Sequence, residues 1–162
     1  MADVELTRVA GDRRLYALEG YGTLRFEGIT SRAATAEADG RRWRIARPRF
    51  WSRNIHATDE LGTVVGVFEP RTFRRGGALR WAGRELALRP ASSWRKRYAL
   101  ADGELELAVI DSKGWGKRPI AVHIDDGATV EAALLLFAAF VVRGLADDAN
   151  AAAASVSITT TG

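Results

Sequence analysis

The chain has 162 residues, 47% of them hydrophobic, which fits one globular domain with a sizeable core. It has no cysteine, so disulfides, thiolate metal sites and cysteine nucleophiles are excluded. Net charge is +4, unevenly spread: residues 41–120 carry 18 basic and 8 acidic side chains, while the flanking segments are acidic on balance.

From residue 4 to residue 125 the text alternates apolar and polar residues in short runs. Turn signals recur every 8 to 12 residues, the rhythm of an antiparallel all-β fold. VELTRV, RLYALEG, TLRFEG and the weaker ITSRAATAEA read as the first strands. Asp39-Gly40 marks a two-residue hairpin, placing Ala38 opposite Arg41, Glu37 opposite Arg42 and Ala36 opposite Trp43. Trp43 and Ile45 then share a face with Ala34 and Ala36, large against small, which fills an interior without crowding it. PRFWSRNIHA reads as a strand with an irregular start at Pro48. In TVVGVFEP, Gly66 signals a bulge or a close approach.

A further hairpin centres on Ala82-Gly83, with Arg80 opposite Glu85 and Leu79 opposite Leu86. The next, taken as a tight Asp102-Gly103 turn, puts Leu100 opposite Leu105, Tyr98 opposite Leu107 and Arg97 opposite Ala108. A last strand places Ile120, Val122 and Ile124 inward. Eleven or twelve strands exceed what an open twisted sheet usually holds, so a closed antiparallel barrel is expected.

Ala132 to Val142 contains no polar residue, so the helix expected over about 129–146 is apolar on every side. Its 11 uninterrupted residues fall short of the ~20 needed to span a bilayer. A barrel of about twelve strands is too wide for its own side chains to fill, and this helix is the available plug. Thr129 is the expected N-cap and Gly144 the expected stop. The barrel should occupy residues 1–147, with 148–162 an Ala/Ser/Thr-rich tail expected to be disordered.

No catalytic constellation is visible. His56 and His123 stand alone, and Asp59-Glu60 and Asp125-Asp126 lie in turns, where Asp is favoured for backbone reasons. No metal-ligand spacing and no nucleophile elbow occur. A non-enzymatic protein without a cofactor or metal is expected.

The basic residues are the remaining signal: 21 of the 24 are Arg, a bias that GC-rich coding also produces. Three segments gather them: Arg71, Arg74 and Arg75; Arg95, Lys96 and Arg97; and Lys113, Lys117 and Arg118, the last around Gly114-Trp115-Gly116. Arginine forks suit phosphates and carboxylates. These nine residues are the candidate anion-binding set, provided that the three segments lie at one barrel end. Trp43 and Trp81 alternate with Arg and read as core.

The order of turn-glycine strand (TDELGTVVGVFEP), Asp-Gly hairpin, basic loop, closing strand PIAVHID, acidic turn and hydrophobic helix resembles the tubby C-terminal-like superfamily. Its smaller members include LURP-one-related and phospholipid scramblase-like proteins. The likeness covers roughly residues 15–146. It implies a twelve-stranded barrel threaded by the helix, and a basic surface that binds phospholipid headgroups. The chain lacks the proline-rich region and cysteine clusters of the scramblase branch. The expected partner is an anionic lipid or an acidic protein surface, with nucleic acid as the alternative. The expected location is the cytoplasm, at the membrane periphery, with no transmembrane segment.

Overall fold

The computed structural model describes residues 2–28, 32–71, 76–92, 97–112 and 119–159, with backbone alone for 92 and 148–159. Twelve strands follow in chain order: β1 (Ala2–Arg8), β2 (Leu15–Leu18), β3 (Gly22–Glu27), β4 (Ala33–Ala38), β5 (Arg41–Ala46) and β6 (Ile55–Asp59). Then come β7 (Val64–Pro70), β8 (Gly77–Trp81), β9 (Arg84–Ser92), β10 (Arg97–Asp102), β11 (Leu105–Asp111) and β12 (Ile120–Ile124). Each pairs antiparallel with its sequence neighbour, and β1 pairs with β12, so the meander closes into a barrel without sheet edges. The seam runs from Ala2 opposite Ile124 to Leu6 opposite Ile120.

One helix, α1 (Ala132–Thr159), runs through the middle. Leu134 to Ala139, Val141 and Val142 are each at most 1% exposed, so the helix is apolar all round because barrel wall surrounds it. It lies nearest β3, β4, β5 and β7. There the wall is lined by Ala34, Ala36, Ala38 and Gly66, small residues that let the helix approach. Leu88, Leu100, Ile110, Ile120 and Val122 fill the wider space elsewhere. A Cβ on Gly66 would lie 2.7 Å from the Trp81 ring, which accounts for the glycine expected at a close approach. A register shift on the same strand sets Ala57 opposite Gly66 and Thr58 opposite Val64.

Helix entry differs from expectation. The Leu135 N–H donates to the Glu131 carbonyl at 3.1 Å, so Glu131 holds the N-cap position and Thr129 lies outside the helix. The Glu131 carboxylate accepts from Trp81 Nε1 at 2.9 Å, which fastens the helix start to the end of β8. Gly144 sits within the helix, whose backbone continues to Thr159 through the segment read as a tail.

The pairings expected around Asp39-Gly40 and Ala82-Gly83 are all present. Both central residues of each turn have positive φ, the requirement of a type I′ hairpin. The third hairpin corrects the expectation. Asp102 pairs with Leu105 across Gly103-Glu104, and only Gly103 has positive φ. Leu100 then faces Ala108, Tyr98 faces Ile110 and Arg97 faces Asp111. Two causes add: the turn lies one residue later than expected, which moves each partner by two, and a bulge adds one more, with Leu107 and Ala108 both buried, two residues against one. The bulge has a use, because the Leu107 carbonyl accepts the Asp125 N–H at 3.0 Å and anchors the turn into the helix. PRFWSRNIHA is also corrected: only Ile55 onward is strand, and 47–54 is a loop.

Candidate functional site

In an antiparallel meander, alternate connections emerge at the same end of the barrel. The connections β1–β2, β3–β4, β5–β6, β7–β8, β9–β10 and β11–β12 therefore share one rim. The other six, including the entry to the helix, share the opposite rim. Arg71 and Arg97, the described members of the nine-residue candidate set, lie at the first rim. Arg71 is exposed there, and Arg97 begins β10 at that end, 3.7 Å from Asp111. Arg74, Arg75, Arg95, Lys96, Lys113, Lys117 and Arg118 lie outside the described residues.

Among the described residues, the six connections of this rim hold seven basic side chains, Arg13, Arg14, Arg32, Arg47, Arg49, Arg53 and Arg71, and a single acidic one, Asp12. Those of the opposite rim hold seven acidic residues and no basic one. The barrel is thus charged end to end. The segments that sequence reasoning passed over supply six of these seven basic side chains, Arg13, Arg14, Arg32, Arg47, Arg49 and Arg53. The signal was present in the sequence as Arg in every other connection, but it needs the strand parity to be seen.

The wall differs from the rim. Across neighbouring strands Arg42 pairs with Glu37 and Arg84 with Asp102, at 3.4 and 2.7 Å, and Arg44 on β5 reaches over β4 to Glu27 on β3 at 3.2 Å. The carboxyl of Asp12 serves the β1–β2 connection: it accepts the Arg14 backbone N–H at 3.0 Å and the Arg25 guanidinium at 2.6 Å. In that order, these two hold it below the usual carboxylate range. By contrast, Arg13, Arg32, Arg47, Arg49, Arg53 and Arg71 make no ion pair among the described residues. Side chains held on the strands neutralise one another locally.

A cleft of about 330 Å³ opens on the basic rim, between residues 7–13 and Pro119. Arg8 and Arg13 line it, beside Gly11, whose φ is +84°. Deeper, where the helix leaves the barrel, the Arg143 guanidinium lies 4.0 Å from the Phe26 ring centroid and 5.9 Å from that of Tyr16. Burial pulls its pKa below the usual guanidinium range.

The groups considered for catalysis have structural employment. Asp59 Oδ1 accepts the N–H groups of Leu61 and Thr63, and Asp125 Oδ2 accepts that of Gly127, so both hold turns. His123 Nδ1 lies 2.7 Å from Asp3 Oδ1 across the β1–β12 seam. Among the described residues no three His, Asp or Glu side chains cluster as a metal site would require. Among them, too, no helix is long and apolar enough to cross a membrane. The outward wall carries Arg25, Glu37, Arg42, Arg44, Arg80 and Glu85, whereas a membrane-spanning barrel needs an apolar outer band. No family profile matches the chain, and neither a curated protein nor a solved structure matches it.

Proposed function

We propose that this chain is a non-enzymatic tubby-like barrel whose basic rim binds anionic phospholipid headgroups at a membrane surface. The observation that carries the reading is the separation of charge between the two rims, seven described basic residues at one against seven acidic ones at the other. Twelve strands around one apolar helix are the layout that the tubby resemblance implies, and they support that kinship. Unneutralised guanidinium groups donate strong charge-assisted hydrogen bonds to phosphate oxygens. Each basic residue held near an anionic leaflet contributes about 1 kcal/mol, so a rim of them binds without a deep pocket. The cleft at residues 7–13 is large enough to seat one headgroup.

Co-sedimentation with phosphatidylserine-containing and with pure phosphatidylcholine vesicles tests the reading. Binding to the anionic vesicles alone is expected, and it should weaken as salt rises. Replacing Arg13, Arg32 and Arg71 together by Glu should lower it by about tenfold or more, whereas Arg80→Gln on the wall should not. Equal binding to both vesicles, or none to either, overturns it.

A further inference from the structure

Eight residues join β5 to β6, and their apex is aromatic. The Ser52 N–H donates to the Arg49 carbonyl at 3.0 Å, closing a four-residue turn with Phe50 and Trp51 at its two central positions. Turn centres ordinarily carry Gly, Pro, Asn, Asp or Ser, which suit the backbone there. Here the backbone gains nothing from the residue types, and the rings stand in water: Phe50 is 82% exposed and Trp51 64%. The apex is held in shape. Pro48 restricts its entry, the Asn54 N–H donates to Ser52 Oγ at 3.2 Å, and the two rings meet edge to face, with centroids 4.8 Å apart. The Arg49 guanidinium lies 5.5 Å from the Trp51 ring, and Arg47 and Arg53 flank the turn.

We propose that the Phe50–Trp51 apex is an interfacial anchor. It inserts the ring pair at the headgroup–acyl boundary of an anionic bilayer while Arg47, Arg49 and Arg53 engage phosphates. The inference rests on the reading of the basic rim given above and adds the depth and the residue pair. Tryptophan and arginine both place an apolar body beneath a polar tip, which suits that boundary. The six connections end at one rim, the shape that meets a flat partner. Among the described residues, the connections of the acidic rim hold one aromatic residue, Tyr21. A base-stacking platform fits the geometry less well. Rings at 84° leave no parallel slot, and Arg49 covers one face of Trp51.

The test uses the full chain with phosphatidylserine/phosphatidylcholine vesicles, with and without brominated acyl chains. Tryptophan fluorescence of the unsubstituted protein should be quenched by the brominated lipid, and Trp51→Phe should lose that quenching while still binding. The double variant Phe50→Ser/Trp51→Ser should bind roughly tenfold more weakly, and its residual binding should vanish at high salt because charge alone remains. Leu61→Ser, which removes an exposed apolar side chain at the acidic rim, should change nothing. All three positions are on the surface, so an unchanged unfolding midpoint separates lost binding from lost fold. If the double variant binds anionic vesicles as tightly and as salt-resistantly as the parent, or if quenching survives Trp51→Phe, the anchor is overturned and the headgroup reading stands. If the unsubstituted protein binds no vesicle, both fall. Loss of single-stranded nucleic acid binding on Trp51→Ser, with vesicle binding intact, also overturns the anchor.

Discussion

Ala82 is one of two described residues other than glycine with positive φ, at +49°, and it is the one without a side chain suited to that region. Asp39, the other, can hydrogen-bond locally; alanine pays the left-handed penalty, about 1 kcal/mol, with no return. Ala82→Asn should therefore stabilise the protein by about 0.5–1 kcal/mol, because Asn-Gly is the favoured pair for this turn. Thermal unfolding should rise by roughly 2–4 °C. Asp12 gives a second test at this scale. Its folded pKa lies below its unfolded one, because of the Arg14 N–H and then the Arg25 guanidinium. Its stabilising effect is thus complete above the unfolded value, about 3.9, and is lost as pH falls through the folded pKa. Asp12→Asn should be less stable than the parent at pH 7, with the gap shrinking below about pH 4. Denaturant titrations at pH 7 and pH 3 read the difference.

Among the elements, α1 has the largest role, since the wall side chains pack onto it. Leu135 is 1% exposed, within the apolar core cluster. Leu135→Asp should remove cooperative unfolding by circular dichroism, since an unpaired buried charge costs several kcal/mol, about the stability of a domain. Leu135→Met should cost less than about 1.5 kcal/mol. A folded Leu135→Asp protein would mean that the helix is not enclosed. The helix was legible because eleven apolar residues in a row leave no solvent face. The hairpins at Asp39-Gly40 and Ala82-Gly83 were legible because turn glycines fix register over the next few residues. The β10–β11 register was not, since the turn falls on Gly103-Glu104 rather than Asp102-Gly103 and Leu107 then adds one residue to one strand. The loop 47–54 was read as strand because its aromatics carry strand propensity; the turn from Arg49 to Ser52 overrides it.

At the scale of the whole molecule, closure and parity govern. The helix enters at the acidic rim and runs toward the basic one, so its dipole opposes the barrel's own charge separation, the favourable arrangement. The salt dependence expected for vesicle binding follows from the same asymmetry, since the rim charges are exposed and screened. Sequence alone determined the strand-and-turn rhythm, the inward and outward faces, the plugging helix and the need for a closed barrel, because each is written in local periodicity or bulk volume. It also named three basic segments. Whether they meet depended on the number of strands between them, and a count of eleven or twelve leaves that open: one strand more or fewer sends a connection to the opposite end. The tertiary structure decided it for the described residues by closing β1 onto β12 with every neighbour antiparallel. Arg13 and Arg71 lie far apart in the chain, yet they share one rim, for strand pairing, which no local sequence signal encodes, sets that neighbourhood.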